Sequence, residues 1–245
     1  MKNVYTEKFV VDDTYVDFKY ETPIYEIIRL IQRATFNHSN LIGLSHKEME
    51  EKANAFWIIT KLKLIINNPI HSGDKLTLKT WTQKPSLVRF KRDFNIKQQG
   101  KLKVKGSAEW CCLDMATHKI RKADSLNYPD LEMVEKAEVT TTFTNMKCDV
   151  QEEDYVYTYT VRSSDIDVNF HTNNLKYNFM TINAFTVEEL KNLVIKEYEL
   201  YFVQESHEGD EIKIYKKKVK GCYYVEGKCE DKTIFRTVIK TKKTN

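Results

Sequence analysis

The residues from Ser163 to Tyr177 include side chains that could carry out acid–base chemistry. Four polar residues recur at every second position of this stretch, namely Asp165, Asp167, Asn169 and His171. Apolar residues stand between them, so an extended chain would place the polar side chains on one face and the apolar ones on the other. An imidazole beside amides and a carboxylate can move a proton and stabilise an oxyanion.

A helix is predicted to begin directly after this polar row. Asn173 and Asn174 are favourable at a helix N-cap, and the free N–H groups of a helix start favour negative charge. The extended row would therefore run into a helix N-terminus. The alternative is a solvated edge segment followed by an ordinary N-cap, and the alternation by itself is compatible with both.

The composition indicates a folded protein with few loops. A length of 245 residues allows one large domain or two small ones. Hydrophobic residues make up 41% and charged residues 30%, which excludes a disordered chain. Only 7 Gly and 4 Pro are present, so we expect long strands and helices. The net charge of +4 is too small to indicate a nucleic-acid partner, and the basic clusters are interpreted as solvated strand faces.

The cysteines, the histidines and the N-terminus bear on the compartment. The cysteines are Cys111, Cys112, Cys148, Cys222 and Cys229. Their number is odd and no Cys-x-x-Cys pair occurs, which predicts free thiols in a reducing compartment. The six histidines lack metal-ligand spacing, so we predict neither a metal nor another cofactor. The N-terminus is polar and no run of about 18 apolar residues occurs, so we expect a cytoplasmic protein without a membrane span.

The first half of the chain predicts a buried helix followed by antiparallel strands. Thr22 and Pro23 are typical of a helix start, and the helix to Ala34 repeats apolar residues on one face. The residues from Ser45 to Glu48 have the pattern of a capping box for a short helix. One strand is predicted before the first helix, at Tyr15–Tyr20. The later strands are predicted at Phe56–Ile66, Lys75–Gln83, Leu87–Lys97, Lys101–Leu113 and near Ile120.

The second half repeats this plan. It predicts a strand at Tyr155–Arg162, a helix at Asn174–Phe185 and a second capping box from Thr186 to Glu189. Further strands are predicted at Leu193–Val203, Glu211–Lys220, Cys222–Glu226 (with a continuation to Lys228 left open) and Thr233–Thr241. The segment Leu64–Leu78 aligns with Leu200–Ile214 at a constant offset, so an internal duplication accounts for the length of the chain.

A helix followed by antiparallel strands that curl around it is the hotdog arrangement. We therefore predict an α+β protein with a tandem (double) hotdog fold, in which each repeat is a long helix wrapped by a curved antiparallel β-sheet. The first domain is placed at residues 1–130, a connector at residues 131–150, and the second domain at residues 151–245.

The polar stretch resembles a motif of the acyl-acyl carrier protein (acyl-ACP) thioesterases. The pattern Asp-x-Asp-x-Asn-x-His-x-Asn-Asn-x-x-Tyr matches at every named position between Asp165 and Tyr177. Further likenesses follow in order along the chain, at Phe36 to Leu44, Thr80-Trp81, Arg89 to Phe94 and Ser107 to Trp110. The resemblance covers nearly the whole chain. It implies a thioester hydrolase that releases free fatty acid from fatty acyl-ACP in fatty acid biosynthesis.

The resemblance also implies a catalytic set. Carried over, the family's catalytic residues fall on Asp167, Asn169, His171 and Glu205. His171 and Glu205 are expected to form the base that takes a proton from water, and Asn169 to donate to the oxyanion. Asp167 is expected to orient its neighbours, although it could simply cap, and Glu205 could be an exposed strand-end charge. The supporting positions are Asn173, Asn174, Tyr177 and Ser206.

Ser206 departs from the family's plant members, which have Cys directly after this glutamate. Either a Cys–His mechanism does not operate in this chain, or Ser206 has replaced the nucleophile. We favour the first alternative, because a serine nucleophile needs an adjacent base in tight geometry, whereas glutamate and histidine can activate water directly.

The two halves are expected to differ in role. The first repeat shows no matching polar row, and Pro69 stands where the duplication places the counterpart of Glu205. The resemblance therefore implies acyl-chain binding in residues 1–130 and catalysis in residues 151–245. The partner that it implies is acyl carrier protein, which presents the acyl group on phosphopantetheine, and a homodimer is left open.

Three other functions on the same fold stay in consideration. The first is an acyl-CoA thioesterase. The second is a dehydratase of hydroxyacyl thioesters, which would lack the Asn-x-His-x-Asn-Asn context seen here. The third is a non-catalytic acyl-thioester-binding protein. Such sensors usually carry a DNA-binding helix-turn-helix, and no segment of this sequence predicts one.

Overall fold

The chain divides into two units, Met1–Thr142 and Phe143–Asn245. The computed structural model describes residues 2–134, 138–139, 143–144 and 149–242. Part of the predicted connector at residues 131–150, including Cys148, lies outside the described residues. The predicted domain limits at residues 130 and 151 stay predictions.

The first unit forms an antiparallel sheet of five strands with two helices. The sheet order is β1-β3-β4-β5-β2. The strands are β1 (Tyr5–Val10), β2 (Ala55–Ile66), β3 (Lys75–Thr82), β4 (Phe90–Gln98) and β5 (Lys101–Asp114). The helices are α1 (Ile24–Leu41) and α2 (His46–Ala53). The capping box predicted at Ser45 and Glu48 is confirmed at the start of α2.

Helix α1 packs its apolar face against β1 and β3. The buried positions of this face include Ile24, Ile27, Ile28, Ile31 and Ala34, as the spacing predicts. Each buried isoleucine contributes about 2 kcal/mol relative to an exposed side chain. The helix begins one residue later than predicted and continues past Ala34 to Leu41.

A buried hydrogen bond joins α1 to β4. The guanidinium of Arg92 lies 2.7 Å from Nδ1 of His38, and both residues are buried. Because a guanidinium can only donate, this Nδ1 must be the unprotonated acceptor. Burial and, next, the charge of Arg92 lower the pKa of His38 to about 4.

This arrangement predicts a pH-dependent stability between pH 6.5 and 4. In that range the unfolded chain binds a proton at this imidazole and the folded chain does not. The contribution of His38 to the free energy of unfolding is therefore fully present above pH 6.5. It is lost as the pH drops towards 4, by up to about 1.4 kcal/mol per pH unit. Urea unfolding at pH 7.0 and 5.0 measures the loss. His38→Gln keeps an acceptor for Arg92 and should lose less, and equal losses would contradict the assignment.

The second unit repeats the plan with five more strands. The sheet order is β7-β10-β9-β8-β6, again antiparallel between neighbours. The strands are β6 (Tyr155–Thr160), β7 (Ile195–Phe202), β8 (Glu211–Val219), β9 (Cys222–Cys229) and β10 (Lys232–Thr241). The helices are α3 (Asn174–Asn183) and α4 (Val187–Asn192). The second predicted capping box, at Thr186 and Glu189, is confirmed.

Most predicted elements are confirmed within a few residues, but one is wrong. The strand predicted at Tyr15–Tyr20 is instead a 3-10 helix at Asp13–Tyr15 followed by a turn in which Tyr20 has φ +55°. Strand β1 was not predicted. The short strand near Ile120 is an isolated bridge to Leu113. None of the helices in the described residues combines the length and the apolar character that crossing a bilayer requires.

Candidate active site

The predicted polar row forms a tight turn between β6 and α3. Ile166 and Thr172 pair as an antiparallel bridge, and the N–H of Asp167 donates to the carbonyl of His171 at 2.9 Å. The prediction of an extended row is therefore wrong. Val168 and Phe170, two of the apolar residues of the alternating pattern, are 88% and 81% exposed.

The side chain of Asp167 accounts for the turn. Its Oδ1 accepts a hydrogen bond from the N–H of Asn169 at 2.8 Å, which closes the chain locally as an Asx turn. Phe170 follows with φ +62°, a conformation that an extended strand does not contain. Short-range capping by a carboxylate thus outweighs the preference of the alternating pattern for a strand.

The turn places His171 beside Glu205, which follows the end of β7. Nε2 of His171 lies 3.2 Å from Oε2 of Glu205, and the two side chains are 31% and 51% exposed. Backbone pairing of the next residues fixes this approach, because the N–H of Thr172 donates to the carbonyl of Ser206 at 2.8 Å. A histidine and a carboxylate in direct contact, open to solvent, can take a proton from water.

Ser206 is buried in a cluster of hydroxyl groups. Its Oγ lies 2.7 Å from Oγ1 of Thr172 and 3.0 Å from the hydroxyl of Tyr177, and none of its surface is exposed. Burial raises the pKa of Tyr177, so that phenol stays protonated. Among the residues that the structure describes, the Ser206 hydroxyl bonds to these two hydroxyls, neither of which is a base. This environment favours a structural role for Ser206 over a nucleophilic one.

Replacing Ser206 by alanine should therefore cost stability and leave turnover largely intact. The substitution removes the contacts of Oγ with Thr172 and Tyr177, while the Thr172 hydroxyl keeps its 3.0 Å bond to the carbonyl of residue 206, so we expect a loss of about 1 kcal/mol in the free energy of unfolding. Thermal melts and thioesterase kinetics of Ser206→Ala measure both effects. If folded Ser206→Ala lost as much turnover as His171→Ala, the result would support Ser206 as the nucleophile.

The other predicted residues surround the start of α3. The predicted N-cap is confirmed, because Oδ1 of Asn173 accepts from the N–H of Leu175 at 2.9 Å, and Asn174 is the first residue of the helix. Asn169 is exposed and lies in the same turn as His171. The assignment of catalytic roles to these residues stays a prediction.

Asp165 is a buried anchor of the turn that the predicted catalytic set did not include. Its carboxylate lies 2.9 Å from Nζ of Lys176 and accepts from the hydroxyl of Tyr159 at 2.9 Å and from the N–H of Arg162 at 2.8 Å. Burial by itself would raise the pKa of Asp165, but these three contacts outweigh it and lower the pKa. Asp165 thus ties the turn to both β6 and α3.

His207 is a second residue of the site that sequence reasoning missed. Its ring meets the ring of His171 edge-on, with 5.0 Å between the centroids. One ligand atom each from His171, Glu205 and His207 lie within 4.8 Å of one another. The prediction of no metal rested on spacing along the chain, which does not reveal groups that two separate loops bring together.

The first unit contains the same turn with the same aspartate and with two different side chains after it. The N–H of Asp17 donates to the carbonyl of Glu21 at 2.9 Å, and Oδ1 of Asp17 accepts from the N–H of Lys19 at 2.8 Å. Lys19 thus stands where the second unit has Asn169, and Glu21 where it has His171. The first half thus keeps the turn and its aspartate, and what it lacks are the asparagine and the histidine of the second half.

Three of the four cysteines in the described residues are poor nucleophiles. Cys111 and Cys112 are buried, and burial raises the pKa of the Cys112 thiol to about 11. Burial also raises the pKa of Cys111 and of Cys229. Since the thiolate is the reactive form, alkylation with N-ethylmaleimide should leave turnover largely unchanged. A loss of turnover that substrate prevents would identify a cysteine that acts in the site.

The sequence matches the two domains of one known protein family in order. Residues 2–125 match the acyl-ACP thioesterase N-terminal domain, and residues 148–244 match the acyl-ACP thioesterase C-terminal domain. The chain is 24% identical over 192 residues to the chloroplastic palmitoyl-acyl carrier protein thioesterase of Arabidopsis thaliana. This match covers 71% of the chain and 45% of the plant protein. The chain spans about half the length of the curated relatives it matches.

Two solved structures share the fold over nearly the whole chain. The acyl-ACP thioesterase from Bacteroides thetaiotaomicron superposes with a TM-score of 0.87 at 21% identity, covering 98% of each chain. The 12:0-ACP thioesterase from Umbellularia californica superposes with a TM-score of 0.86 at 15% identity, covering 98% of this chain and 97% of that one. These matches confirm the predicted α+β tandem hotdog fold. With both family domains matched in order along its sequence, the chain belongs to the acyl-ACP thioesterase family.

Proposed function

We propose that this protein hydrolyses the thioester of fatty acyl-ACP and releases free fatty acid. The observation that carries the proposal is the 3.2 Å contact between Nε2 of His171 and Oε2 of Glu205 at a solvent-open turn. Membership of the family supports the same chemistry, as do the names of the plant relatives, which are palmitoyl- and oleoyl-acyl carrier protein thioesterases.

In the proposed reaction, water attacks the thioester carbon directly. The pair of His171 and Glu205 takes a proton from the water as its oxygen bonds to the carbonyl carbon. When the tetrahedral intermediate collapses, the C–S bond breaks and the same pair returns the proton to the phosphopantetheine thiolate. The products are one fatty acid and one holo-ACP, and the pair ends in its starting protonation state.

Asn169 and Asp167 have supporting parts in this proposal. The exposed amide of Asn169 donates to the oxyanion of the intermediate, where a positioned donor is worth most. Asp167 is a positioning residue, because its carboxylate holds the backbone N–H of Asn169 at 2.8 Å and thereby fixes the turn. Asn173 and Asn174 begin the helix behind the turn, and Ser206 and Tyr177 hold the adjoining loop.

The first unit is assigned acyl-chain binding. The support for this assignment is that its corresponding turn has Glu21 at the position of His171, and Pro69 at the position of Glu205. Acyl carrier protein is the partner in this proposal. A homodimer and a cytoplasmic location stay predictions from the sequence.

The release of free thiol from acyl-ACP tests the proposed function. Purified protein is given acyl-ACP from C8 to C18, with and without EDTA, and the matching acyl-CoA esters in parallel. We expect thiol release from acyl-ACP that EDTA does not lower and that His171→Ala lowers by about 10²–10⁴-fold. Hydrolysis confined to the CoA esters would favour an acyl-CoA thioesterase. Binding without turnover on any chain would favour a non-catalytic acyl-thioester-binding protein.

A further inference from the structure

We infer that His171, Glu205 and His207 form a binding site for Zn²⁺, and that bound Zn²⁺ stops hydrolysis. The second part of this inference rests on the proposed function. Two imidazoles and one carboxylate converge here from two loops, the turn before α3 and the segment after β7. Within the described residues, His171, Glu205 and His207 are the one group of three metal-ligating side chains whose ligand atoms all lie within 4.8 Å of one another.

The spacing of the ligand atoms fits a tetrahedral ion. Zinc bonds to nitrogen and oxygen ligands measure about 2.0–2.2 Å, so two ligands of a tetrahedral site lie about 3.4 Å apart. The contact between His171 and Glu205 is already 3.2 Å long. The ring nitrogen of His207 lies within 4.8 Å of the other two ligand atoms. The side chain of His207 is exposed, so its rotation can bring this nitrogen to the distance that a tetrahedral site requires.

The donor set selects the metal. Imidazole nitrogen suits Zn²⁺ and similar transition-metal ions, whereas Mg²⁺ and Ca²⁺ prefer sites made wholly of oxygen. Three protein ligands leave the fourth tetrahedral position to water. The side chains of Glu205 and His207 are exposed, so the ion can enter from solvent without any opening of the fold.

The backbone holds both loops before any metal arrives. The N–H of His207 donates to Oδ2 of Asp210 at 2.8 Å, and the N–H of Thr172 donates to the carbonyl of Ser206 at 2.8 Å. Because the loops are already ordered, binding does not have to supply the free energy of ordering them.

The first unit provides an internal control with the same backbone and one ligand fewer. The N–H of His71 donates to Oδ2 of Asp74 at 3.1 Å, as that of His207 does to Asp210. Glu21 lies 4.0 Å from His71, but the residue at the position of Glu205 is Pro69, which has no ligand atom in its side chain. Two ligands without the third should hold Zn²⁺ much more weakly.

Bound Zn²⁺ would occupy the lone pairs that the proposed reaction uses. A nitrogen of His171 that coordinates a metal cannot accept a proton from water. The oxygen of Glu205 that coordinates the metal cannot accept a proton either, because the same lone pair would be used. Zn²⁺ would therefore compete with the proton for the catalytic pair, and hydrolysis would stop while the ion stays bound.

Isothermal titration calorimetry with ZnCl₂ tests the site without relying on activity. The full chain is freed of metal with EDTA, dialysed and alkylated at its accessible cysteines, and His207→Ala and His71→Ala are prepared in the same way. We expect one tight Zn²⁺ per chain in the wild type and in His71→Ala. In His207→Ala the affinity should fall by about 10–100-fold or more, since loss of a ligand costs at least as much as loss of its outer-shell partner. Equal affinity in His207→Ala, or no binding in the wild type, would overturn the site.

The blocking role is tested by acyl-ACP hydrolysis with added ZnCl₂. Each variant's rate is divided by its own rate in EDTA, so an effect of the substitution on the basal rate cancels. We expect Zn²⁺ to inhibit the wild type and His71→Ala, EDTA to restore both, and His207→Ala to escape inhibition. Zinc that binds without inhibiting, or that accelerates, would overturn the blocking role. If no form hydrolyses acyl-ACP, the proposed function fails together with the blocking role, and calorimetry still decides the site.

Discussion

Replacing His171 or Glu205 by alanine is expected to lower the turnover of acyl-ACP by about 10²–10⁴-fold, the usual size of a general acid–base contribution. The two side chains come from different loops and lie 3.2 Å apart. Because they act together as one base, each substitution removes one of the two groups that the base needs. Both residues are partly exposed, and neither belongs to the buried core, so the fold should survive each change. Initial rates at saturating acyl-ACP measure the loss.

The double variant distinguishes a shared base from two separate roles. Residues that act as a unit are not additive, so His171→Ala with Glu205→Ala should be little worse than either single variant. Glu21→Ala is a matched control, because it changes the same position of the corresponding turn in the first unit. It should leave turnover near that of the wild type. Fully multiplicative losses for His171 and Glu205 would contradict the shared base.

Replacing Asn169 by alanine is expected to lower kcat by about 10²–10³-fold with little change in KM. An oxyanion donor acts on the charge that develops in the transition state, and it contributes little to binding of the ground state. The backbone N–H of Asn169, not its side chain, makes the turn contact with Asp167, so the turn should keep its shape in Asn169→Ala.

Two further variants sharpen this prediction. Asn169→Asp keeps the size of the side chain and removes its donor, so it should be at least as slow as Asn169→Ala. Lys19→Ala changes the same position of the turn in the first unit and should have little effect on kcat. Circular dichroism of every variant should match the wild type. A rise in KM at unchanged kcat would mean that Asn169 binds substrate and does not stabilise the oxyanion.

The elements that the sequence predicts well are those determined by local chemistry. The capping boxes at Ser45 and Thr186 were predictable because each N-cap and its glutamate lie three residues apart on the chain. The apolar face of α1 was predictable because its period of 3.6 has no competing interpretation. The prediction of a strand at Tyr15–Tyr20 was wrong for the same reason as the prediction of an extended row in the second unit. In both turns an aspartate side chain caps the backbone two residues later.

The candidate site was predictable in part. The motif identified the turn and its polar residues, but alternation suggested an extended row because it carries no information about Asx capping by Asp167. His207 could not be identified from spacing, since it meets His171 only when the loop after β7 pairs with the turn before α3. Tertiary pairing of this kind is absent from local sequence patterns. The duplication offers one signal, because it aligns His207 with His71.

The most direct test of the account is a single turnover in H₂¹⁸O with enzyme in excess over acyl-ACP. Rapid quenching is followed by mass spectrometry of the fatty acid, of the intact enzyme and of its peptides. If the pair of His171 and Glu205 directs water to the thioester carbon, the fatty acid gains one ¹⁸O atom, holo-ACP forms in equal amount, and the enzyme carries neither an acyl group nor ¹⁸O. An acyl group on Ser206, or ¹⁸O in the carboxylate of Glu205, would contradict direct attack by water.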